Sequence, residues 1–326
     1  MKRFFLVHRT LLASLLLCAL VTFPARAQDP KPARPAPKLP PGVKMIPNIE
    51  YANPDGHSLL LDLYLPENAP ERLPVIMWVH GGGWEGGDRH DRIAIPMTTH
   101  GYAVASIDYR LSGIAKWPAQ IEDCKAAVRW LRTHARAYGL DPMHIGVWGA
   151  SAGGHLVALL GTTGDVKELE GNEGNPDQSS RVQAVCDFFG PTDFLVINEE
   201  AKKGPVPPAI QHDSPNSPEA HLLGGPIQEN KDKARSANPI TYVSKDDPPF
   251  LIMHGDHDPL VPLAQSQLLL DALKQANVPA ELVVIPSAGH GFGGPKVMEQ
   301  VTKFFDKYLK PPPKDGETPQ KGEKGQ

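Results

Sequence analysis

From Ile46 to Leu309 short apolar runs alternate with longer stretches whose apolar residues recur every three or four positions. The short runs have the length and composition of strands: Val75–Val79, Tyr102–Ile107, His144–Trp148, Val182–Phe189, Phe250–His254 and Ala280–Ile285. The longer stretches read as helices. Trp117–Ala137 places Ile121, Cys124, Val128, Leu131 and Ala135 on one face, and Val297–Leu309 does the same with Val297, Val301, Phe304, Phe305 and Tyr308. Gly154–Leu160 and Leu263–Ala276 add two more, and a shorter helix is expected near Ile93–His100. Ahead of them, Ile46–Ala52 and His57–Leu65 flank the turn sequence Asn53-Pro54-Asp55-Gly56, which predicts a β-hairpin. Strands alternating with crossover-length helices predict an α/β fold, with a mostly parallel central sheet, helices on both faces and a leading antiparallel hairpin. Residues 193–247, rich in Pro, Gly, Asn and charge with short helical pieces such as Pro218–Leu223, break the rhythm and read as a small cap insertion.

The ends of the chain differ from this middle. Residues 1–27 carry Lys2, Arg3 and Arg9, then the apolar run Leu11–Val21, then Ala25-Arg26-Ala27, the pattern of a cleavable signal peptide. The run is too short to span a bilayer. Export to periplasm or medium is therefore expected, with no stable membrane insertion after cleavage. Residues 28–45 and 311–326 are Pro- and Lys-rich and read as a disordered linker and tail, which leaves a folded domain over 46–310. The formal charge is −4 and becomes more negative once the basic residues of 1–27 leave. A mildly acidic chain without a basic block argues against nucleic acid as a partner. Cys124 and Cys186, in a predicted helix and strand, read as two buried thiols, although an exported protein would also permit a disulfide between them. The oligomeric state is left open.

Chemistry concentrates where strands end. Gly149-Ala150-Ser151-Ala152-Gly153 lies between a strand and a helix, a G-x-S-x-G in which a tight turn would lift the Ser151 hydroxyl off the backbone. The glycines are needed because a Cβ would clash there. His80-Gly81-Gly82-Gly83-Trp84 follows Val75–Val79, and its glycines free backbone N–H groups to point at a developing oxyanion. A phosphate cradle would need a Lys-Ser/Thr pair after the glycines, and none follows. His254–Pro262 follows another strand. Asp258 there is the candidate partner for a histidine, Asp256 is the alternative acid, and the loop also has the look of a His/Asp metal cluster, although no second cluster supports it. His290, between Gly289 and Gly291, follows the last strand as candidate general base and completes the order Ser, Asp, His. Asp88, His90 and Asp91 read as a solvated loop. No cofactor and no metal are expected.

These motifs, with Gly87-Asp88 and Asp108-Tyr109-Arg110, resemble the secreted carboxylesterases of the α/β-hydrolase fold. The resemblance is to the hormonesensitive-lipase-like and Bacteroidetes-type feruloyl esterase group, which includes acetylxylan esterases, and it covers roughly residues 46–309. It implies a catalytic Ser151, Asp258 and His290, oxyanion N–H groups from Gly82, Gly83 and Ala152, and a structural role near the site for Tyr109 and Arg110. It also implies a small-molecule or polysaccharide-borne ester as substrate, plausibly acetyl or feruloyl groups on plant polysaccharide. Two other classes fit the same motifs: an amidase or peptidase of kynurenine-formamidase-like or prolyl-oligopeptidase-like type, and a non-catalytic binding protein on a hydrolase fold.

Overall fold

The computed structural model describes residues 39–69 and 72–310, together with Met1. The expected signal peptide, most of the expected linker and the expected tail lie outside the described residues.

Eight strands form one sheet: β1 (Val43–Ala52), β2 (Leu59–Pro66), β3 (Leu73–Val79), β4 (Ala103–Ile107), β5 (Leu140–Ala150), β6 (Ala184–Phe188), β7 (Phe250–Gly255) and β8 (Ala280–Ile285). Their order is β1-β2-β4-β3-β5-β6-β7-β8. The β1–β2 and β2–β4 pairs are antiparallel and every other pair is parallel, which is the mixed sheet the hydrophobic pattern predicts. β1 begins at Val43, inside the stretch expected to be linker. Val43 and Lys44 pair with Pro66 and Leu65, so ladder hydrogen bonds recruit residues whose composition alone pointed outside the domain.

The helices are α1 (Ala119–Tyr138), α2 (Ala152–Thr162), α3 (Phe194–Ala201), α4 (Pro218–Leu223), α5 (Lys231–Ala237), α6 (Leu263–Gln275) and α7 (Pro295–Leu309). The helix expected near residues 93–100 is a 3-10 helix, Ile95–His100, with Pro96 in its first turn, where no N–H is needed. Strand alternation sorts the core into two layers. Val75, Met77 and Val79 of β3, Ile145 and Val147 of β5, and Phe250 and Ile252 of β7 face α1, α2 and α6. Ile76 and Trp78, Trp148 and Ala150, and Leu251 and Met253 face the other way, against α7 and the 3-10 helix. Cys124 lies in the first layer and Cys186 in the second. The sheet separates them, both thiols are free, and burial pushes both pKa values up.

Residues 193–247 hold more structure than their composition suggests. α3, α4 and α5 all lie there, and each sends apolar side chains into the first layer: Phe194 and Ile197, Leu222 and Leu223, Ala234 and Ala237. The caps are local. Asp193 accepts from the Leu195 N–H and Ser217 from the Ala220 N–H. Among the described residues no helix is long and apolar enough to cross a membrane.

Candidate active site

Because β3, β5, β7 and β8 run parallel, the loops that leave their carboxyl ends gather at one edge of the sheet. That edge collects His80–Trp84 after β3, Ser151 after β5, Asp258 after β7 and His290 after β8.

Ser151 occupies a strained turn, with φ 57° and ψ −122°, directly before the first residue of α2. The flanking glycines are steric necessities. A Cβ on Gly153 would lie 2.1 Å from the Val79 carbonyl oxygen, and one on Gly149 would lie 2.3 Å from the Gly153 carbonyl oxygen. The Ser151 N–H donates to the Phe188 carbonyl at 2.8 Å, which ties the turn to the neighbouring strand.

The side chain of Ser151 meets a relay. Its Oγ lies 2.8 Å from His290 Nε2, and His290 Nδ1 lies 2.7 Å from Asp258 Oδ2. A carboxylate only accepts, so His290 donates from Nδ1 and its Nε2 is left to accept the Ser151 proton. Asp258 Oδ1 accepts the N–H groups of Leu260 (2.8 Å) and Val261 (3.0 Å). Burial alone would raise the Asp258 pKa. Hydrogen bonds from His254, His290 and the Val261 N–H, with the charge of His290, outweigh it and hold the carboxyl well below the usual carboxylate range. Phe189, at the end of β6, packs its ring 4.6 Å from that of His290.

The glycine loop lies directly against the elbow: a Cβ on Gly81 would come within 2.8 Å of the Ala150 oxygen and 3.3 Å of Ser151 Cβ. Gly82 takes φ +110° where the loop folds back, and its carbonyl accepts the N–H groups of Glu85 and Gly86. No hydrogen bond among the described residues uses the N–H of Gly82, Gly83 or Ala152. Ala152 is the first residue of α2, so its N–H belongs to the positive end of that helix. Pro218 of α4 packs over Gly83, its side chain 3.2 Å from where a Cβ would sit.

The remaining residues singled out by sequence are placed as follows. Tyr109 stacks on His80 with ring centroids 4.3 Å apart and donates its hydroxyl to the His80 carbonyl. Arg110 is buried against Asp123 of α1 (2.6 Å) and Glu173 (3.2 Å). Neither touches Ser151, Asp258 or His290. Asp256 pairs with His257 and accepts the Ser287 N–H, so it turns away from His290. His254 points into the core. The ligand-type side chains of residues 254–258 split into two pairs, His254 with Asp258 and His257 with Asp256, and among the described residues no group of three His, Cys, Asp or Glu could hold a metal ion.

Three features were not read from the sequence. Arg89 is a buried clamp, bonded to Asp62 (3.1 Å) and Asp108 (2.6 Å), that pins the far end of the glycine loop to β2 and β4. His254 contacts Asp258. His155, four residues after Ser151 on α2, lies in an aromatic box of Trp84 (5.2 Å), Phe194 (5.1 Å) and Trp117 (6.1 Å) and reaches the Ala237 carbonyl at 2.7 Å. The signal for His155 was its place on an otherwise apolar helix; nothing local shows that aromatic side chains from three other segments enclose it.

Burial lowers the His155 pKa to about 4, against the opposing effect of its hydrogen bond to the Ala237 carbonyl. The ring is neutral in the fold and protonates near 6.5 once unfolded. Its contribution is complete above about pH 6.5 and is lost as pH falls toward about 4, up to on the order of 3 kcal/mol. Urea unfolding at pH 7.5 and 4.5 should show this loss. In His155→Leu the drop in stability between the two pH values should be smaller by a similar amount, and an equal drop in both proteins would contradict the assignment.

With this geometry in view, comparisons with known proteins become informative. A family model described as BD-FAE matches residues 61–273, and one described as TAP-like protein matches residues 229–324. Esterase LipQ of Mycobacterium tuberculosis is 32% identical over 252 residues, which is 75% of this chain and 56% of LipQ. The probable carboxylic ester hydrolase LipM of the same organism is 32% identical over 67% of this chain and 49% of its own. The chain spans about half the length of these curated relatives. Among solved structures, a truncated carbohydrate esterase from gut microbiota is 34% identical with a TM-score of 0.73, covering 81% of this chain and 95% of that one. A thermophilic esterase from Thermogutta terrifontis is 26% identical with a TM-score of 0.65, covering 85% and 96%.

Proposed function

The chain belongs to the BD-FAE family of α/β-hydrolases, and from that premise we propose that it is a serine carboxylesterase that removes acyl groups from carbohydrate. The observation that carries the reading is the relay from Ser151 Oγ through His290 to Asp258, at 2.8 and 2.7 Å. In this reading Ser151 attacks the ester carbonyl and His290 takes its proton at Nε2. The ion pair with Asp258 stabilises the imidazolium that results. The N–H groups of Gly82, Gly83 and Ala152 receive the charge on the carbonyl oxygen as the tetrahedral intermediate forms. His290 then returns the proton to the departing alkoxide oxygen, which leaves as the alcohol. A water deprotonated by His290 next attacks the acyl-enzyme, and collapse releases the acid and restores the Ser151 hydroxyl.

The preference for a carbohydrate-borne ester, acetyl or feruloyl, rests on the likeness to the gut-microbiota carbohydrate esterase and on the signal-like residues 1–27, which would place the enzyme outside the cytoplasm with polymeric substrates. An amidase or a binding protein on the same fold would behave differently. A fluorophosphonate probe should label Ser151 stoichiometrically, which a binding protein would not permit. Acetylated and feruloylated xylan fragments should be turned over with higher kcat/KM than simple aryl acetates, and all of them well ahead of matched amides. A preference for the amides would replace the esterase reading, and indifference to the sugar would remove the carbohydrate part of it.

A further inference from the structure

Resting on the site as read above, we propose that His254 is a positioning residue for Asp258, its Nε2–H steadying the carboxylate oxygen that His290 binds. His254 is near the end of β7 and fully buried. Its Nε2 lies 2.9 Å from the Val261 carbonyl oxygen and 3.3 Å from Asp258 Oδ2, while its Nδ1 lies 2.7 Å from Ser266 Oγ on α6. Both neighbours of Nε2 are acceptors only, so the proton is on Nε2, and Nδ1 accepts from the Ser266 hydroxyl. One N–H is therefore shared between the loop backbone and the oxygen that carries the relay.

The reason such a partner matters lies in the reaction. The bond between His290 and Asp258 changes character each time His290 gains or loses a proton, so it cannot by itself fix Asp258. Oδ1 is tied by two backbone N–H groups, but the direction of Oδ2 needs a donor that does not react. His254 supplies one from a rigid strand; its two acceptors fix the tautomer, and Ser266 of α6 holds the ring in orientation at Nδ1. The other carboxyl whose charge acts on His254 is Asp187 of β6. It is buried, its Oδ1 accepts the Gly190 N–H at 2.9 Å, and burial pushes its pKa up to about 6. The ring of Phe189 completes the surroundings, 6.3 Å from His254 on one side and 4.6 Å from His290 on the other.

The test compares three variants with an aryl acetate as substrate. His254→Gln carries an amide nitrogen to the Nε2 position and should keep kcat within about threefold of wild type. His254→Asn places its amide only at the Nδ1 position, and should lower kcat roughly 10–100-fold with KM within about twofold. That range is what loss of an outer partner produces at metal-binding histidines. In an Asp258→Asn background the same His254→Asn change should have almost no further effect, because its target is already gone. Ser266→Ala keeps the Nε2 acceptors but removes the hydroxyl that holds the ring at Nδ1, and should lower kcat severalfold at unchanged KM; it carries the test if His254→Asn does not fold. Equal losses in Gln and Asn, a loss additive with Asp258→Asn, or unchanged kcat in Ser266→Ala each overturn the proposal. Ser151→Ala measured alongside separates the two levels. Activity surviving in it removes the reading of the site itself, whereas its loss combined with indifferent His254 variants removes only the positioning role.

Discussion

Ser151→Ala should reduce esterase turnover by about six orders of magnitude while leaving the fold intact. The alanine removes one oxygen and no packing, since Ser151 is half-buried and its Oγ bonds, among the described residues, only to His290 Nε2. The strained turn costs alanine about what it costs serine, so melting temperature should change little. Residual hydrolysis would come from the oxyanion donors and substrate binding alone. The measurement is kcat on an aryl acetate together with fluorophosphonate labelling. A rate within tenfold of wild type, or labelling that persists elsewhere with activity, would remove Ser151 as nucleophile.

Asp258→Asn should be the second largest effect, about 10⁴-fold in kcat. The two oxygens of Asp258 have different partners, and that asymmetry decides the outcome. Oδ1 accepts two backbone N–H groups, so the asparagine carbonyl takes that place and its NH₂ must occupy the Oδ2 position. There it points a donor at His290 Nδ1 and confronts the His254 N–H. His290 is then driven to accept at Nδ1 and carry its proton on Nε2, facing Ser151, where it can no longer act as a base. KM should stay near wild type while kcat falls. The same change at Asp256 should alter kcat by less than about threefold, because that carboxylate bonds His257 and the Ser287 N–H instead. Comparable losses at both positions would mean that the acid has been misassigned.

Much of this site was legible in the sequence because its parts sit at strand ends. An α/β rhythm implies parallel strands, and parallel strands deliver their carboxyl-terminal loops to one edge, so Ser151, Asp258, His290 and the glycine loop could be expected together without knowing any distance. Elements with weak local patterns were not legible. α3 and α5 are short, and they stand where they do because Phe194 packs against Trp84 and His155 and because the Ala237 carbonyl receives the His155 ring. Their stability comes from those partners and not from periodicity. His254 was expected at the end of the strand Phe250–His254, where β7 has it, but with no role of its own; strand alternation turns it to the same face as Phe250 and Ile252, inward toward Ser266.

By itself the sequence determined the α/β architecture, the candidate nucleophile and base, and the steric need for glycine on both sides of Ser151, since each rests on local periodicity or backbone geometry. Which acid lies against His290, which histidine lies against that acid, and what encloses His155 are visible only in three dimensions. These depend on the directions side chains take from loops and strands far apart in the chain. Direction is set by packing and by the pairing of buried polar groups, which residue order does not encode locally.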